Sequence, residues 1–163
     1  MTFISIFVPL FLSIFVGIVP NSPTVSFDKE QYYKAFAGND ITAISSELKT
    51  IQSVNFAERP AFEGALLMKK AGVVGNPKDK LSLFKTGHDK LELEIKQTPS
   101  NTEYRLLRLM IQENAPAFLG YNDNLETDKK MIVSNFNTLP SIVQKVIRDY
   151  STKSKYLKPE LFQ

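Results

Sequence analysis

Arg105, Arg108 and Gln112 recur at intervals of three and four within the apolar stretch Asn101–Tyr121, a spacing that places them on one face of a helix. Two guanidinium forks and a carboxamide in one row suit a groove that holds a carboxylate or phosphate, with Tyr104 and Tyr121 as candidate walls. The competing role is internal. Arginines in so apolar a segment need acidic partners if they are half-buried, and Glu63, Glu92, Glu94 and Glu103 are the available candidates. Glu113 follows the row directly. Burial near apolar residues raises a carboxyl pKa and equips it as a general acid, and Glu63 is the candidate second carboxylate of a hydrolase pair. The structural alternative is that Glu113 and Asn114 cap or hold the chain break that Pro116 imposes.

Other chemistry-bearing residues point less far. His88 is the only histidine; it falls on an apolar helical stripe beside Asp89, with no second histidine to complete a zinc site. Asp123, Asn124, Glu126 and Asp128 lack the glycine and terminal glutamate of a calcium loop and read as acids at a helix start. Gly72–Lys78 lacks the Gly-Lys-Ser/Thr ending of a phosphate loop. Cysteine is absent, which removes disulfides, thiolate nucleophiles and thiolate metal sites. No catalytic constellation and no cofactor or metal is implied.

The elements that must position these residues are helical. The first helix is expected over Asp28–Phe36 with Ser26 as its cap, and Gly38 ends it. Asn39 or Asp40 caps a second, whose Ile41, Ile44, Leu48 and Ile51 form one stripe. Arg59-Pro60 opens a third, in which Gly64 and Ala65 are small enough for another helix to approach closely. A fourth covers about Pro77–Gln97, with Leu81, Phe84, His88, Leu91 and Ile95 in one row. Gly87 interrupts it at a cost of ~1 kcal/mol relative to alanine, which a crossing helix would justify. Ser100 or Asn101 caps the central helix, the longest uninterrupted helical signal, which Pro116 breaks. Two more helices begin near Asn124 and Pro140, and a lysine-rich tail from Ser151 carries Tyr156, Leu157, Leu161 and Phe162 as docking residues. Alternating strand patterns are scarce. The expected fold is all-α: a single compact bundle of six or seven short-to-medium helices over residues 23–163, with helical-hairpin stacking of the tetratricopeptide type as one form.

The first 22 residues stand apart. Phe3–Val19 is 17 residues without a charge, and Pro20 and Pro23 resist helical continuation. The run is a little longer than the ~7–15 apolar residues of a signal-peptide core and just within the ~17–25 of a membrane span. Either a cleaved signal or a retained anchor places the domain outside the cytoplasm, in the periplasm or facing it from the membrane. Lys plus Arg exceed Asp plus Glu by 20 to 17 in a chain of 163 residues; so diffuse a charge excludes a nucleic-acid interface.

The pattern FEGALLMKKAG at Phe62–Gly72, followed by EYRLLRLMIQENAPAFLGY at Glu103–Tyr121, resembles that of small exported helical proteins of Bacteroidota, over roughly Ala57–Tyr150. The resemblance implies an exported helical protein and no particular activity. Leu91–Leu109 also resembles a junction between two tetratricopeptide units, although small and aromatic positions do not recur at the roughly 34-residue period of such arrays. Together these readings favour a non-catalytic exported protein that binds a protein, a peptide or an envelope component. The alternatives are an envelope hydrolase using Glu113 or Glu63 with arginine assistance, or a purely structural domain.

Overall fold

Helix starts are set by side chains that accept from the first free amides. The carboxylate of Asp28, not Ser26, accepts from Glu30 and Gln31 at 2.9 and 3.2 Å and starts α1, Lys29–Ala37. Asp40 caps α2, Ile41–Ser53, through the amide of Thr42. Pro60 lies in the first turn of α3, Arg59–Val73, and Asn76 with Pro77 starts α4, Pro77–Gln97. Asn101 accepts from the amides of Glu103 and Tyr104 to begin α5, Thr102–Gln112. A 3-10 turn at Ala117–Leu119 leads to α6, Leu125–Asn135, and then to α7, Ser141–Ser151. The computed structural model describes residues 26–163, so the expected leader lies outside the described residues.

The described residues form an all-α bundle of seven helices. Consecutive helices from α1 to α6 pack on one another as helical hairpins do, while α3 against α5 and α1 against α7 close the array. The dominant pair is α3 with α4. They cross where Gly64 meets Gly87: a Cβ on Gly64 would stand 2.7 Å from the Gly87 carbonyl oxygen, and one on Gly87 would stand 2.9 Å from Met68. No real side chain fits at those distances, so the mid-helix glycine of α4 is explained by backbone contact rather than by a break.

The central helix is shorter than its sequence signal. α5 ends at Gln112, two residues ahead of the break that Pro116 is expected to force near Asn114–Ala115, and the longest described helix is α4 with 21 residues. The centrality itself holds: every residue of α5 except Arg105 is buried. One apolar cluster runs from Tyr32 and Phe62 through Leu106, Leu107 and Leu109 to Ile147 and Phe162. The C-terminal tail docks on it, with Leu157 fully buried and the Phe162 ring 4.8 Å from that of Phe136.

Candidate functional site

The polar row of α5 splits into two environments. At its N-terminal side Arg108, only 3 % exposed, meets Asp128, which is fully buried on α6. Nε and Nη2 of Arg108 donate to the two carboxylate oxygens at 2.7 Å each, a bidentate fork, and Nη1 donates to Glu92 of α4 at 2.9 Å. Burial works against the guanidinium charge, but Asp128 and then Glu92 overcome it and raise the Arg108 pKa above its ordinary value. Arg105 adds a longer contact to Asp128 at 3.4 Å and donates to the Pro99 carbonyl at 3.1 Å. Tyr121 donates its hydroxyl to Glu92 at 2.5 Å; burial and that carboxylate push its pKa up. This is a closed ionic knot tying α4, α5 and α6 together, and it presents no free guanidinium to a ligand.

Tyr104 is buried in the core, where desolvation, followed by Glu94, Glu58 and Glu103, pushes its hydroxyl pKa up to about 12. It does not line a groove with Tyr121. Glu103 is drawn into a separate tie, accepting from Lys29 at 2.5 Å and from the Tyr33 hydroxyl at 3.0 Å. Among the acidic partners expected for the arginines, Glu92 is therefore used and Glu63, Glu94 and Glu103 are not. The principal partner is Asp128, whose place near a helix start hid its role: it lies in the first turn of α6, facing inward.

The C-terminal end of the row is open. Gln112, Glu113 and Tyr121 line a surface cleft of about 170 Å³, joined by Pro116, Asn122 and Tyr156. Gln112 is 3 % exposed; its Nε2 donates to Asn124 at 3.2 Å, while its Oε1 has no partner among the described residues. Phe118, in the 3-10 turn that follows Pro116, is 86 % exposed. Gly120 supplies the left-handed backbone (φ 60°) that turns the chain back from this loop towards α6, a conformation glycine adopts without steric cost.

Glu113 forms one side of the cleft, yet its carboxylate is turned to the tail. It accepts from the Tyr150 hydroxyl at 2.9 Å, from Ser154 Oγ at 2.7 Å, and from the backbone N–H of Lys155. Ser154 Oγ in turn accepts from the amides of Tyr156 and Leu157. Glu113 thus anchors the C-terminal strap rather than the Pro116 break; Asn114 serves the end of α5, donating to the Met110 carbonyl at 2.9 Å. Glu63 belongs to another neighbourhood, held by Gln52 of α2 at 2.8 Å and Lys90 of α4 at 2.9 Å. Burial raises its pKa, but the Gln52 and Lys90 hydrogen bonds, with the lysine's charge, leave it below the ordinary carboxyl value. Among the described residues the two glutamates share no hydrogen-bond partner. His88 is half-exposed, its ring 4.9 Å from that of Tyr121 and its Nδ1 3.2 Å from Asp89.

No protein-family model, curated protein or solved structure matches the chain.

Proposed function

We propose that the chain is a non-catalytic binding protein, exported by its leader and acting in the periplasm or, if the leader is retained, tethered at the membrane facing it. The cleft at the end of α5 receives a segment of a protein or peptide partner. The observation that carries this reading is Gln112 Oε1: a buried carbonyl oxygen without a donor costs ~1–3 kcal/mol, and it belongs to a residue that lines an open cleft. A peptide amide is the complementary donor. Phe118, exposed on the adjoining turn, is the kind of aromatic side chain that anchors interfaces. The carboxylates of the hydrolase alternative are occupied: Glu63 by Gln52 and Lys90, Glu113 by the tail. The contacts of Glu63 hold its pKa below the ordinary carboxyl value, which favours an ionised base over a proton-donating acid.

The test is selection of peptides from a displayed library on protein purified from the full chain, followed by binding to Gln112→Leu and Phe118→Ala variants. Selected peptides should lose roughly tenfold or more in affinity, equivalent to ~1.4 kcal/mol, on each variant while both variants melt normally. Peptides that bind wild type and variants equally would remove the cleft from the account.

A further inference from the structure

A second groove, about 310 Å³, lies between α1 and α7, separate from the cleft at Gln112. That volume is at the lower end of the ~300–1,000 Å³ of small-molecule sites. Its floor is apolar, formed by Tyr33, Met110, Ile142, Val146 and Tyr150, and its charges stand on the rims. The rim charges are unevenly placed. Towards the start of both helices, Lys145 is paired with Asp149 at 2.5 Å, and Glu30 acts on Lys145 from α1. That end carries no net positive charge. Towards the other end, Lys34 and Lys153 line the groove without an ion-pair partner among the described residues. Lys153 Nζ stands 5.5 Å from the centroid of the Tyr150 ring. Lys69 of α3 reinforces this end: it donates to Asn39 just beyond α1, and burial together with the charge of Lys153 lowers its pKa. Like charges gathered beside an apolar trough are relieved by an anion that brings an apolar body with it.

We propose that this groove binds a free single-chain carboxylate amphiphile, its carboxylate between Lys34 and Lys153 and its alkyl chain laid along the floor towards Ile142. The ten helical residues from Ile142 to the end of α7 at Ser151 span roughly 15 Å at ~1.5 Å per helical residue, enough for an extended chain of medium length. A peptide would use backbone donors and acceptors along the floor, and the floor offers mainly methyl, methylene and ring surface.

The experiment is calorimetric titration of protein purified from the full chain with sodium dodecanoate, below its micellar concentration and near neutral pH. One site is expected. Affinity should fall by about fourfold for each methylene removed, the value of ~0.8 kcal/mol per buried methylene, when decanoate and octanoate replace dodecanoate. Dodecyltrimethylammonium should bind at least roughly tenfold more weakly. The double reversal Lys34→Glu with Lys153→Glu, at two exposed positions, should lower dodecanoate affinity roughly tenfold or more, about 1.4 kcal/mol, without changing the melting curve. Val146→Glu, which puts a charge on the floor, should abolish binding. No saturable site, equal affinity for the cationic amphiphile, or indifference to chain length would each overturn the proposal. So would full affinity in the lysine double variant, or uptake from anionic vesicles with none from free dodecanoate.

Discussion

Arg108 and Gln112 stand one helical turn apart on the same face of α5, are equally buried at 3 % exposure, and end in opposite states. Arg108 finds two carboxylates that accept from all three of its guanidinium nitrogens. Gln112 finds a partner for its amide nitrogen and none for its oxygen. The difference comes from what packs opposite. α4 and α6 flank Arg108, each with an acid in register, whereas Gln112 faces the irregular chain between α5 and α6. Burial alone therefore says little about a polar residue; completion of its hydrogen bonds decides whether it ties the fold or faces a ligand.

The largest test of this contrast is Arg108→Ala. It leaves Asp128 fully buried without its bidentate partner, which costs ~3–5 kcal/mol for an internal ion pair. Urea unfolding should show that loss in full. A loss below ~1 kcal/mol would mean that the knot is not closed in solution. Replacing both partners, Arg108→Met with Asp128→Leu, should recover much of the stability, because the fully buried carboxylate goes with its guanidinium and only the partly exposed Glu92 and Arg105 lose a contact.

Next in size is Glu113→Ala. It strips the acceptor from the Tyr150 hydroxyl, Ser154 Oγ and the Lys155 amide at once, and ~1–3 kcal/mol is expected, chiefly from the two part-buried hydroxyls left unmet. The distinguishing readout is local. Amide exchange at Lys155–Leu157 and tryptic cleavage after Lys155 should accelerate more than exchange in α5. Uniform acceleration would show that Glu113 acts on the bundle and not on the strap.

Much of this frame is legible in the sequence, for reasons that are local. Asp40, Asn76-Pro77 and Asn101 mark helix starts because capping involves residues two or three apart, and Gly64 and Gly87 signal the close crossing through their missing side chains. Three of the six residues singled out as a groove, Gln112, Glu113 and Tyr121, do line one cleft. Arg105 and Arg108 instead form the knot, and Tyr104 enters the core. Asp128 was not legible as their partner, because pairing across α5 and α6 depends on the rotation of both helices, which a one-turn acid pattern leaves open. The hold of Glu113 on Ser154, 41 positions later, is likewise tertiary. Ser26 and Asp28 are both capping types, and only the path into α1 chooses between them.

A pH experiment extends the contrast to two glutamates on neighbouring helices. Glu47 of α2 is raised above its ordinary value of 4.5 by burial and then by the charge of Asp28, so the folded state favours its protonated form. Its contribution is present below the unfolded pKa and is lost as pH rises through the folded one. Glu63 is lowered; its contribution is present above the unfolded value and is lost as pH falls through the folded one. Glu47→Gln should therefore melt higher than wild type at neutral pH, with the advantage disappearing below about pH 4. Glu63→Gln should melt lower at neutral pH, with its deficit shrinking in acid. Parallel shifts of the two melting curves with pH would contradict the opposite environments assigned to them.

The smallest expected change in stability belongs to Gln112→Leu, and it is the sharpest test of the comparison. Leucine has a similar volume, removes the unpaired oxygen, and gives up one hydrogen bond of 3.2 Å to Asn124. A lost bond of ~0.5–1.5 kcal/mol is set against relief of an unmet buried acceptor worth ~1–3 kcal/mol, so the net effect lies between neutral and mildly stabilising. Urea midpoints with unchanged slope would measure it. A loss above ~2 kcal/mol would show that Oε1 is satisfied in solution by an internal water that the fold depends on. The row would then be structural from end to end, and the cleft would lose its claim to a partner. An unchanged midpoint together with lost peptide binding would leave the row divided: an ionic tie at Arg108 and, one turn on, a contact that only a ligand completes.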